Sequence, residues 1–370
     1  MNRIALLTFT NSDNYGALLQ AYALQEKLSQ LGYDSTFLDY RRPFRPKSML
    51  RRLKYFLVKR LLTRFFQTKR QRSMERFRRQ YFQRTKPLQS RSEMIKMAAE
   101  FQIFIVGSDQ VWNIPKLFDD DTFLLPFVSD QQRRISYAPS FYFSTFPEDY
   151  ISLYKRELEK FDFLSVRELE GQQYVRDLIG REATLVLDPT LLLTQNDWDK
   201  IAIPYQSKDP YIFCYFIPEG FGQKPILTNR IIEFARKISE RNHWKIVCCG
   251  NKSKAAVFPA QTENDVGPLE FLGFFQNASF VLTNSFHGTS FAVNYKRPFY
   301  SFLDGKYSLI EKAKSRIGTL LGLLGLESRF LSTKEDFPEP SEWDISFDEA
   351  ELRLDKERIQ SLDFLKTAIK

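Results

Sequence analysis

Short apolar runs, polar loops and helical stripes alternate along the chain. The run RIALLTF is followed by the polar TNSDNYG and then by ALLQAYALQEKLSQLG, whose apolar residues recur at helical spacing up to Gly32. STFLDY follows as a second strand, so residues 3–40 are predicted to form a strand–helix–strand unit. A unit of this kind begins a parallel sheet.

The same succession recurs through the rest of the chain. FQIFIV precedes GSDQVWN, FDFLSV precedes RELEG, and ATLVL precedes DPT; after a looser stretch at 194–210, a second series runs from YIFCYF through WKIVCC to SFVLT and NSFHG. The pattern predicts an α/β protein of two Rossmann-like domains facing a cleft, residues 1–195 and 205–340. The amphipathic residues 345–370 are predicted to form a helix that packs back on the first domain.

Composition narrows the class of protein. The 370 residues suffice for two domains, and 43% hydrophobic residues indicate a globular chain. Cys214, Cys248 and Cys249 lie in apolar runs without zinc-type spacing, which favours reduced, buried thiols in a cytoplasm. The N-terminus has no secretory pattern and no apolar run is long enough to span a bilayer, so we expect a cytoplasmic protein.

Positive charge is concentrated in one segment. Of 54 Lys and Arg residues, 19 fall between Arg41 and Arg91, where Glu75 is the single acid. The remainder has 35 basic and 44 acidic residues, a net charge of −9. The segment 41–91 is therefore a basic insertion in the first domain, and a protein that is basic throughout is excluded.

Part of this insertion has the pattern of a membrane-surface helix. Within residues 49–66, large apolar residues recur at helical spacing among dense Lys and Arg. This composition is typical of helices that bind anionic membranes, although a helix packed on the sheet with a solvated basic face would share it. We interpret it as a peripheral contact with the inner face of the plasma membrane. Helix-turn-helix and zinc-finger signatures are lacking, so we expect no nucleic-acid partner.

Candidate chemistry lies in the polar loops that follow the predicted strands. Ligands collect beyond the carboxyl ends of parallel strands. His287, one of two histidines, lies in such a loop, in FVLTNSFHGTSFAV, just before a predicted helix. Its imidazole suits proton transfer near neutral pH, and the helix start suits an anion. The alternative is a histidine that caps the helix and satisfies loop carbonyls.

Three further loops offer polar groups. Arg167, after FLSV, suits a phosphate or carboxylate, or else forms a salt bridge to Glu168 or Glu170. In GSDQVWN, the carboxylate of Asp109 suits a base or a sugar hydroxyl and Trp112 suits stacking on a sugar; a capped turn is the alternative. In SDNYGALL, capping of the following helix would by itself explain Asp13, while Gly16 permits a ligand to approach closely.

Several classes of site have no motif in this sequence. HExxH, HxxxE and paired cysteines are missing, so we expect no metal. GxGxxG and GxxxxGK[ST] are missing too, which argues against dinucleotide and P-loop enzymes.

Taken together, the motifs resemble the polysaccharide pyruvyl transferase family. The resemblance extends over roughly residues 3–330 and rests on LLTFTNSDNYGALLQAYAL, FIVGSDQVWN, ISYAPSF, LSVRELEG, LVLDPTLLL, FVLTNSFHGTSFAV, KRPF and KSRIGTLLGLLGL, in the family's order. It implies a glycosyltransferase-B-like fold. It also implies transfer of the enolpyruvyl-derived group of phosphoenolpyruvate onto a sugar as a cyclic ketal, without a cofactor.

The resemblance also implies roles for individual residues. His287 matches the family's histidine, as general acid or phosphate contact, and Arg167 matches its donor-binding arginine. The candidate catalytic residues are His287 and Asp109. The candidate substrate-binding residues are Arg167, Asn14, Tyr15, Gly16, Ser108, Gln110, Asn284, Ser285, Phe286, Gly288 and Arg316. The expected acceptor is a glycan or a polyprenyl-diphosphate-linked oligosaccharide.

The chain departs from the family pattern at Ser285. Many members have an arginine there, in Ser-Arg-Leu-His, whereas this sequence has Asn-Ser-Phe-His. Arg316 or Lys296 could supply the missing positive charge. Two alternative functions stay open: a nucleotide-sugar-dependent glycosyltransferase, and a non-catalytic membrane-associated assembly factor.

Overall fold

A computed structural model describes most of the chain. The described residues are 3–41, 68–117, 119–141, 146–217, 226–249, 261–263, 265–305 and 307–370. The basic segment 49–66 lies outside these ranges, and the insertion 41–91 lies only partly within them.

The first sheet is parallel and has four strands. They are β1 (Ile4–Leu7), β2 (Ser35–Phe37), β3 (Ile103–Val106) and β4 (Arg133–Ser136), in the order β2-β1-β3-β4. Parallel bridges from Phe37 to Arg84 and from Tyr40 to Leu88 add backbone on the outer side of β2. The chain thus runs outward from β1 in one direction and then returns to β3 on the other side.

Hydrogen bonds between two serines, Ser136 of β4 and Ser165 of the next strand, connect this sheet to a further pair of short strands. The short strands β5 (Ser165–Val166) and β6 (Thr184–Leu185) pair in parallel. Ser136 Oγ donates to Ser165 O at 2.9 Å, and Ser165 Oγ donates to Ser136 O at 2.6 Å. These side chains take the place of backbone ladder bonds, which explains why β5 is short although FDFLSV has the pattern of a full strand.

Seven helices accompany the strands of this first unit among the described residues. They are α1 (Tyr15–Gln30), α2 (Lys69–Tyr81), α3 (Arg91–Ala98), α4 (Ile151–Leu158), α5 (Leu169–Ile179), α6 (Pro189–Leu192) and α7 (Gln195–Asp199). Helix α1 follows the predicted stripe and ends just before Gly32, whose φ of 84° suits glycine.

The second sheet has six strands, all parallel. They are β7 (Tyr211–Tyr215), β8 (Lys245–Cys249), β9 (Gln261–Glu263), β10 (Phe280–Thr283), β11 (Phe299–Leu303) and β12 (Phe330–Ser332), in the order β12-β11-β10-β7-β8-β9. This is the Rossmann strand order, with its reversal between β7 and β10. The helices are α8 (Ile226–Asn242), α9 (Pro268–Gln276), α10 (Phe286–Asn294), α11 (Leu309–Lys314), α12 (Arg316–Leu324) and α13 (Asp348–Ile369).

The two units are packed together. One buried apolar cluster includes residues from both, such as Leu6 of the first sheet and Val281 of the second. The C-terminal helix α13 contacts the first unit: Arg133 Nη1 donates to Ala368 O at 2.9 Å, and the Leu187 N–H donates to Ser361 Oγ at 2.9 Å. Among the helices in the described ranges, none is long and apolar enough to cross a bilayer.

Candidate active site at the carboxyl ends of the two sheets

Strand-order reversals place two loop clusters at sheet ends. In the first sheet the reversal lies between β1 and β3, and in the second it lies between β7 and β10. Crevices at such reversals are the usual ligand sites of open parallel sheets. Asn284 joins the second pair of loops, because its side chain accepts from the Ile217 N–H at 2.7 Å and donates to Ile217 O at 3.0 Å.

Ser285 begins helix α10. Its Oγ accepts from the Gly288 N–H at 3.3 Å, and its own N–H donates to Thr283 Oγ1 at 3.0 Å. Gly288 is required here, since a Cβ would lie 2.3 Å from Thr283 Oγ1. Within the described residues, the N–H groups of Phe286 and His287 have no acceptor, so the start of α10 keeps two donors for an anion.

Helix α1 meets α10 at Gly16. A Cβ on Gly16 would lie 2.0 Å from Nδ1 of His287, so only glycine allows the imidazole to pack against this helix. Asn14 caps α1, accepting from the Ala17 N–H at 3.1 Å. Tyr15 is buried, donates to Val266 O at 2.9 Å and stacks on Phe271. Its contacts therefore join the two units.

Arg167 follows β5 and lies at the centre of a buried ion cluster. Its side chain is 1% exposed; Nη1 lies 2.7 Å from Asp188 Oδ2 and Nη2 lies 3.2 Å from Asp109 Oδ1. Nε is 3.7 Å from Glu168 Oε2, and the guanidinium carbon is 4.6 Å from the centre of the Phe286 ring. The arginine thus has Asp188 and Asp109 as its main partners, and Glu168 only as a looser one.

Asp188 connects this arginine to the histidine. Its Oδ1 caps α6 by accepting from the Thr190 N–H at 3.0 Å. Its Oδ2 accepts from Ser108 Oγ at 2.8 Å and lies 3.8 Å from Nε2 of His287. The sequence alone assigned no role to Asp188, although DPT follows the apolar run ATLVL at a predicted strand end. Its position at a strand end, as with Asp109, was the available signal.

Neighbouring charges set the protonation of the carboxyl groups. Burial alone would raise the pKa of Asp188, but the imidazole of His287 and the guanidinium of Arg167 hold it far below its ordinary value. Burial would also raise the pKa of Asp109, yet Arg167, His287 and Arg316 lower it. For Glu168 burial prevails, and its pKa is raised. The site therefore combines two aspartates whose pKa values are lowered with a glutamate whose pKa is raised.

The site retains unused hydrogen-bonding capacity. His287 is 7% exposed, and its Nε2 has no hydrogen-bond partner among the described residues. Arg167 Nε and Glu168 Oε2 are likewise buried and form no hydrogen bond within that part of the chain, although they face each other at 3.7 Å. Buried polar groups are ordinarily satisfied, so three such atoms in one cluster indicate a place for a ligand or ordered water.

The remaining candidates lie around this cluster. Ser108 is fully buried, and Asp109 beside it has a left-handed φ of 73°, which is uncommon outside glycine. Gln110 accepts from Lys116 Nζ at 2.7 Å. Arg316 is the first residue of α12 and acts electrostatically on both Asp109 and Glu168. The fold thus brings the strand-end candidates of both units to one region.

Two expectations from the sequence are wrong. Trp112 cannot stack on a sugar, because it is fully buried among Phe141 and Phe161 and donates to Phe123 O. Lys296 cannot replace the missing arginine, because it lies beyond the C-terminal end of α10, whereas His287 is in the first turn. Its ammonium group pairs with Glu351 at 2.6 Å.

Comparisons with known proteins bear on the family and the fold of the chain. A sequence model of the family Polysaccharide pyruvyl transferase matches residues 14–304. No curated protein sequence matches the chain significantly.

The solved structures that are similar to the chain include two with TM-scores of 0.50 or more. One is provisionally assigned as a UDP-N-acetylglucosamine 2-epimerase from Listeria monocytogenes, with 11% identity, a TM-score of 0.52 and coverage of 100% of this chain and 89% of that chain. The other is the UDP-GlcNAc 2-epimerase from Methanocaldococcus jannaschii, with 11% identity, a TM-score of 0.50 and coverage of 98% and 91%. At such identities the likeness shows the fold alone, the glycosyltransferase-B-like pairing of two Rossmann-like units that the sequence predicts.

Proposed function

Because the chain belongs to the polysaccharide pyruvyl transferase family, we propose that it moves the enolpyruvyl-derived group of phosphoenolpyruvate onto a sugar of a bacterial surface polysaccharide or of its lipid-linked repeat unit. One observation links the proposed function to particular residues. The buried Nε2 of His287 has no hydrogen-bond partner in the described residues, lies 3.8 Å from an ionised aspartate and belongs to the first turn of a helix. A proton donor for an anionic substrate has this setting.

The reaction needs one proton delivered to carbon and two removed from oxygen. Protonation of the methylene carbon of phosphoenolpyruvate forms a methyl group and leaves oxocarbenium character at C2. One sugar hydroxyl adds to C2 and loses its proton. Phosphate then departs, and a second hydroxyl adds and loses its proton to close the ketal. One acid, one base and stabilisation of the leaving phosphate are therefore required.

The described side chains offer these functions. We assign the general acid to His287, whose Nε2 faces Asp188 at 3.8 Å, and the base for the sugar hydroxyls to Asp109. The free N–H groups at the start of α10 and the guanidinium of Arg316 would hold the anionic donor in place of the family arginine that Ser285 replaces. Arg167 is almost fully buried and paired, so it offers the donor only Nε and otherwise holds Asp188 in position.

The acceptor would reach this site from a membrane. A glycan on polyprenyl diphosphate is membrane-bound, and residues 49–66 combine apolar and basic residues as anionic-membrane helices do. We therefore propose a peripheral enzyme at the inner face of the plasma membrane. Vesicle binding by a chain lacking residues 49–66 tests this assignment, and undiminished binding to anionic lipid would refute it.

Donor binding tests the proposal without knowledge of the acceptor. Thermal unfolding is measured with phosphoenolpyruvate, with inorganic phosphate and with a panel of nucleotide sugars. A ligand at 100 times its Kd stabilises the native state by about 2.7 kcal/mol, so the unfolding temperature should rise clearly with phosphoenolpyruvate. His287→Asn should lose most of this shift. His243→Asn is the matched control, because His243 is exposed at a φ of 57° that asparagine accepts.

The alternative functions predict other outcomes. Ser285 leaves a helix start with free N–H groups and no arginine, a setting that would also accept a nucleotide diphosphate. A shift with a nucleotide sugar alone would therefore indicate a glycosyltransferase. No shift with any of these donors would favour the non-catalytic assembly factor.

A further inference from the structure

Helix α2 presents a stripe of four cations to solvent. Lys69, Arg72, Arg76 and Arg79 are all exposed, and their spacing of three, four and three residues places them on one face. At 1.5 Å per residue the stripe is about 15 Å long. We call these four residues the α2 stripe.

The opposite face of α2 is fixed to the loop that leads to Gly16. Arg78 is nearly buried; it donates to Thr10 O at 2.9 Å and to Ser12 O at 2.8 Å, and pairs with Asp13 at 2.7 Å. Arg70 donates to Asp13 O at 2.8 Å. These contacts hold the helix rigidly on the β1–α1 loop, so the α2 stripe has a fixed orientation relative to the candidate active site.

The α2 stripe has little compensating negative charge. Helix α2 has six Lys and Arg residues and one acid, Glu75. Glu75 pairs with Arg78, Arg79 and Arg84, at 3.2 to 3.4 Å. In the described part of the chain, Lys69, Arg72 and Arg76 form no ion pair. Since an exposed pair such as Glu75–Arg79 contributes little, all four cations remain available to an anionic partner.

We propose that the α2 stripe docks on the anionic surface of a lipid bilayer. The inference deepens the membrane association proposed above and rests on it for the identity of the partner. A straight row of cations on a rigid helix fits a flat surface that offers many phosphates, and each cation near such a surface adds to binding. Residues 49–66, which precede α2 in the sequence, combine large apolar residues with basic ones. Apolar and basic residues both strengthen binding to an anionic bilayer, whereas only the basic residues strengthen binding to a soluble polyanion.

Docking in this way would set the direction of the cleft. The β1–α1 loop is clamped between α2 and the start of α1, where Gly16 contacts His287. A membrane under the α2 stripe would therefore lie about one helix diameter, roughly 10 Å, from the β1–α1 loop.

Vesicle co-sedimentation of the full chain tests this inference. The stripe variant is Lys69→Gln, Arg72→Gln, Arg76→Gln and Arg79→Gln together. The control removes the same charge from exposed lysines elsewhere, Lys155→Gln, Lys208→Gln, Lys356→Gln and Lys366→Gln. Each protein is mixed with phosphatidylcholine vesicles with and without phosphatidylglycerol, and circular dichroism confirms that both variants are folded.

We expect the stripe variant to bind the anionic vesicles at least about tenfold more weakly than the control, with unchanged binding of phosphoenolpyruvate. If the stripe and control variants bind equally, the inference is wrong, while loss of binding on deletion of residues 49–66 would leave the membrane association standing. If the wild type binds dextran sulfate through the α2 stripe but not the vesicles, the partner is a soluble polyanion and the inference is overturned.

Discussion

At the scale of single residues, Asp188 determines how the buried charges are arranged. Its two oxygens accept from Thr190, Ser108 and Arg167, and one of them faces the imidazole of His287. A buried arginine is tolerated only when its charge is paired. Asp188 therefore serves both the stability of the fold and the orientation of the proposed acid.

Replacing Asp188 separates these effects. Asp188→Asn leaves Arg167 without its shortest ion pair, and we expect a loss of about 3–5 kcal/mol in the free energy of unfolding at pH 7, measured by urea titration. Lys356→Gln, an exposed change, should alter it by less than about 0.5 kcal/mol. A loss within that small range for Asp188→Asn would contradict a paired, buried aspartate.

The sign of the pH dependence follows from the depressed pKa of Asp188. In the unfolded chain an aspartate titrates near 3.9, whereas Asp188 stays ionised to far lower pH in the folded state. Its stabilisation is complete above that value and is lost as the pH falls below it. The difference between wild type and Asp188→Asn should thus be about 1 kcal/mol smaller at pH 3 than at pH 7.

At this scale the sequence predicted where the polar groups lie but not what they contact. Strand-end loops identified His287, Arg167 and Asp109, because a residue that follows an apolar run must lie at a sheet edge. Asp188 received no role from the sequence and Trp112 was expected to stack on a sugar, since pairing across 80 residues and burial by distant aromatic rings leave no local pattern.

At the scale of elements, the starts of α1 and α10 meet face to face. Alanine is the better helix former, so helix propensity does not explain Gly16 in the first turn of α1. Its presence is explained by the imidazole of His287, which occupies the space of the missing Cβ. The contact between α1 and α10 thus requires a residue without a Cβ at position 16.

Gly16→Ala tests this contact. The new Cβ would lie 2.0 Å from Nδ1, so the imidazole must move, and we expect a loss of at least about tenfold in transferase activity with about 1–3 kcal/mol of stability. Gly322→Ala in α12 is the matched control, because its Cβ would have its nearest neighbour at 3.9 Å. That change should be neutral or stabilising, and equal activity of the two variants would refute the contact.

Element prediction succeeded where periodicity was strong. The stripe in the C-terminal segment gives α13 over Asp348–Ile369, and the stripe in ALLQAYALQEKLSQLG gives α1 over Tyr15–Gln30. The apolar pattern overestimated the lengths of β5 and β6, because the Ser136–Ser165 side-chain hydrogen bonds replace backbone ladder bonds there. A pattern of apolar residues does not show whether backbone or side chain supplies the hydrogen bond.

At the scale of the whole molecule, two sheets with comparable reversals of strand order direct their loops toward one region. The repeated strand–helix–strand succession in the sequence was enough to predict two parallel α/β units, since such units have few permitted topologies. The strand orders, and the contact of Gly16 with His287 across the units, depend on packing between distant segments and had no local signal. The family, by contrast, was visible in the order of the motifs.

Transfer of labelled donor tests the central claim most directly. The protein is incubated in D2O with phosphoenolpyruvate labelled with ¹³C at C3 and a panel of methyl hexopyranosides with free 4- and 6-hydroxyls, and the products are followed by NMR and by phosphate release. The account predicts a ¹³C-methyl ketal with one deuterium on its methyl group, phosphate in equal amount, at least about a hundredfold loss of rate in His287→Asn and none in His243→Asn. Label that stays in phosphoenolpyruvate with the wild type, or transfer by His287→Asn at the wild-type rate, would contradict it.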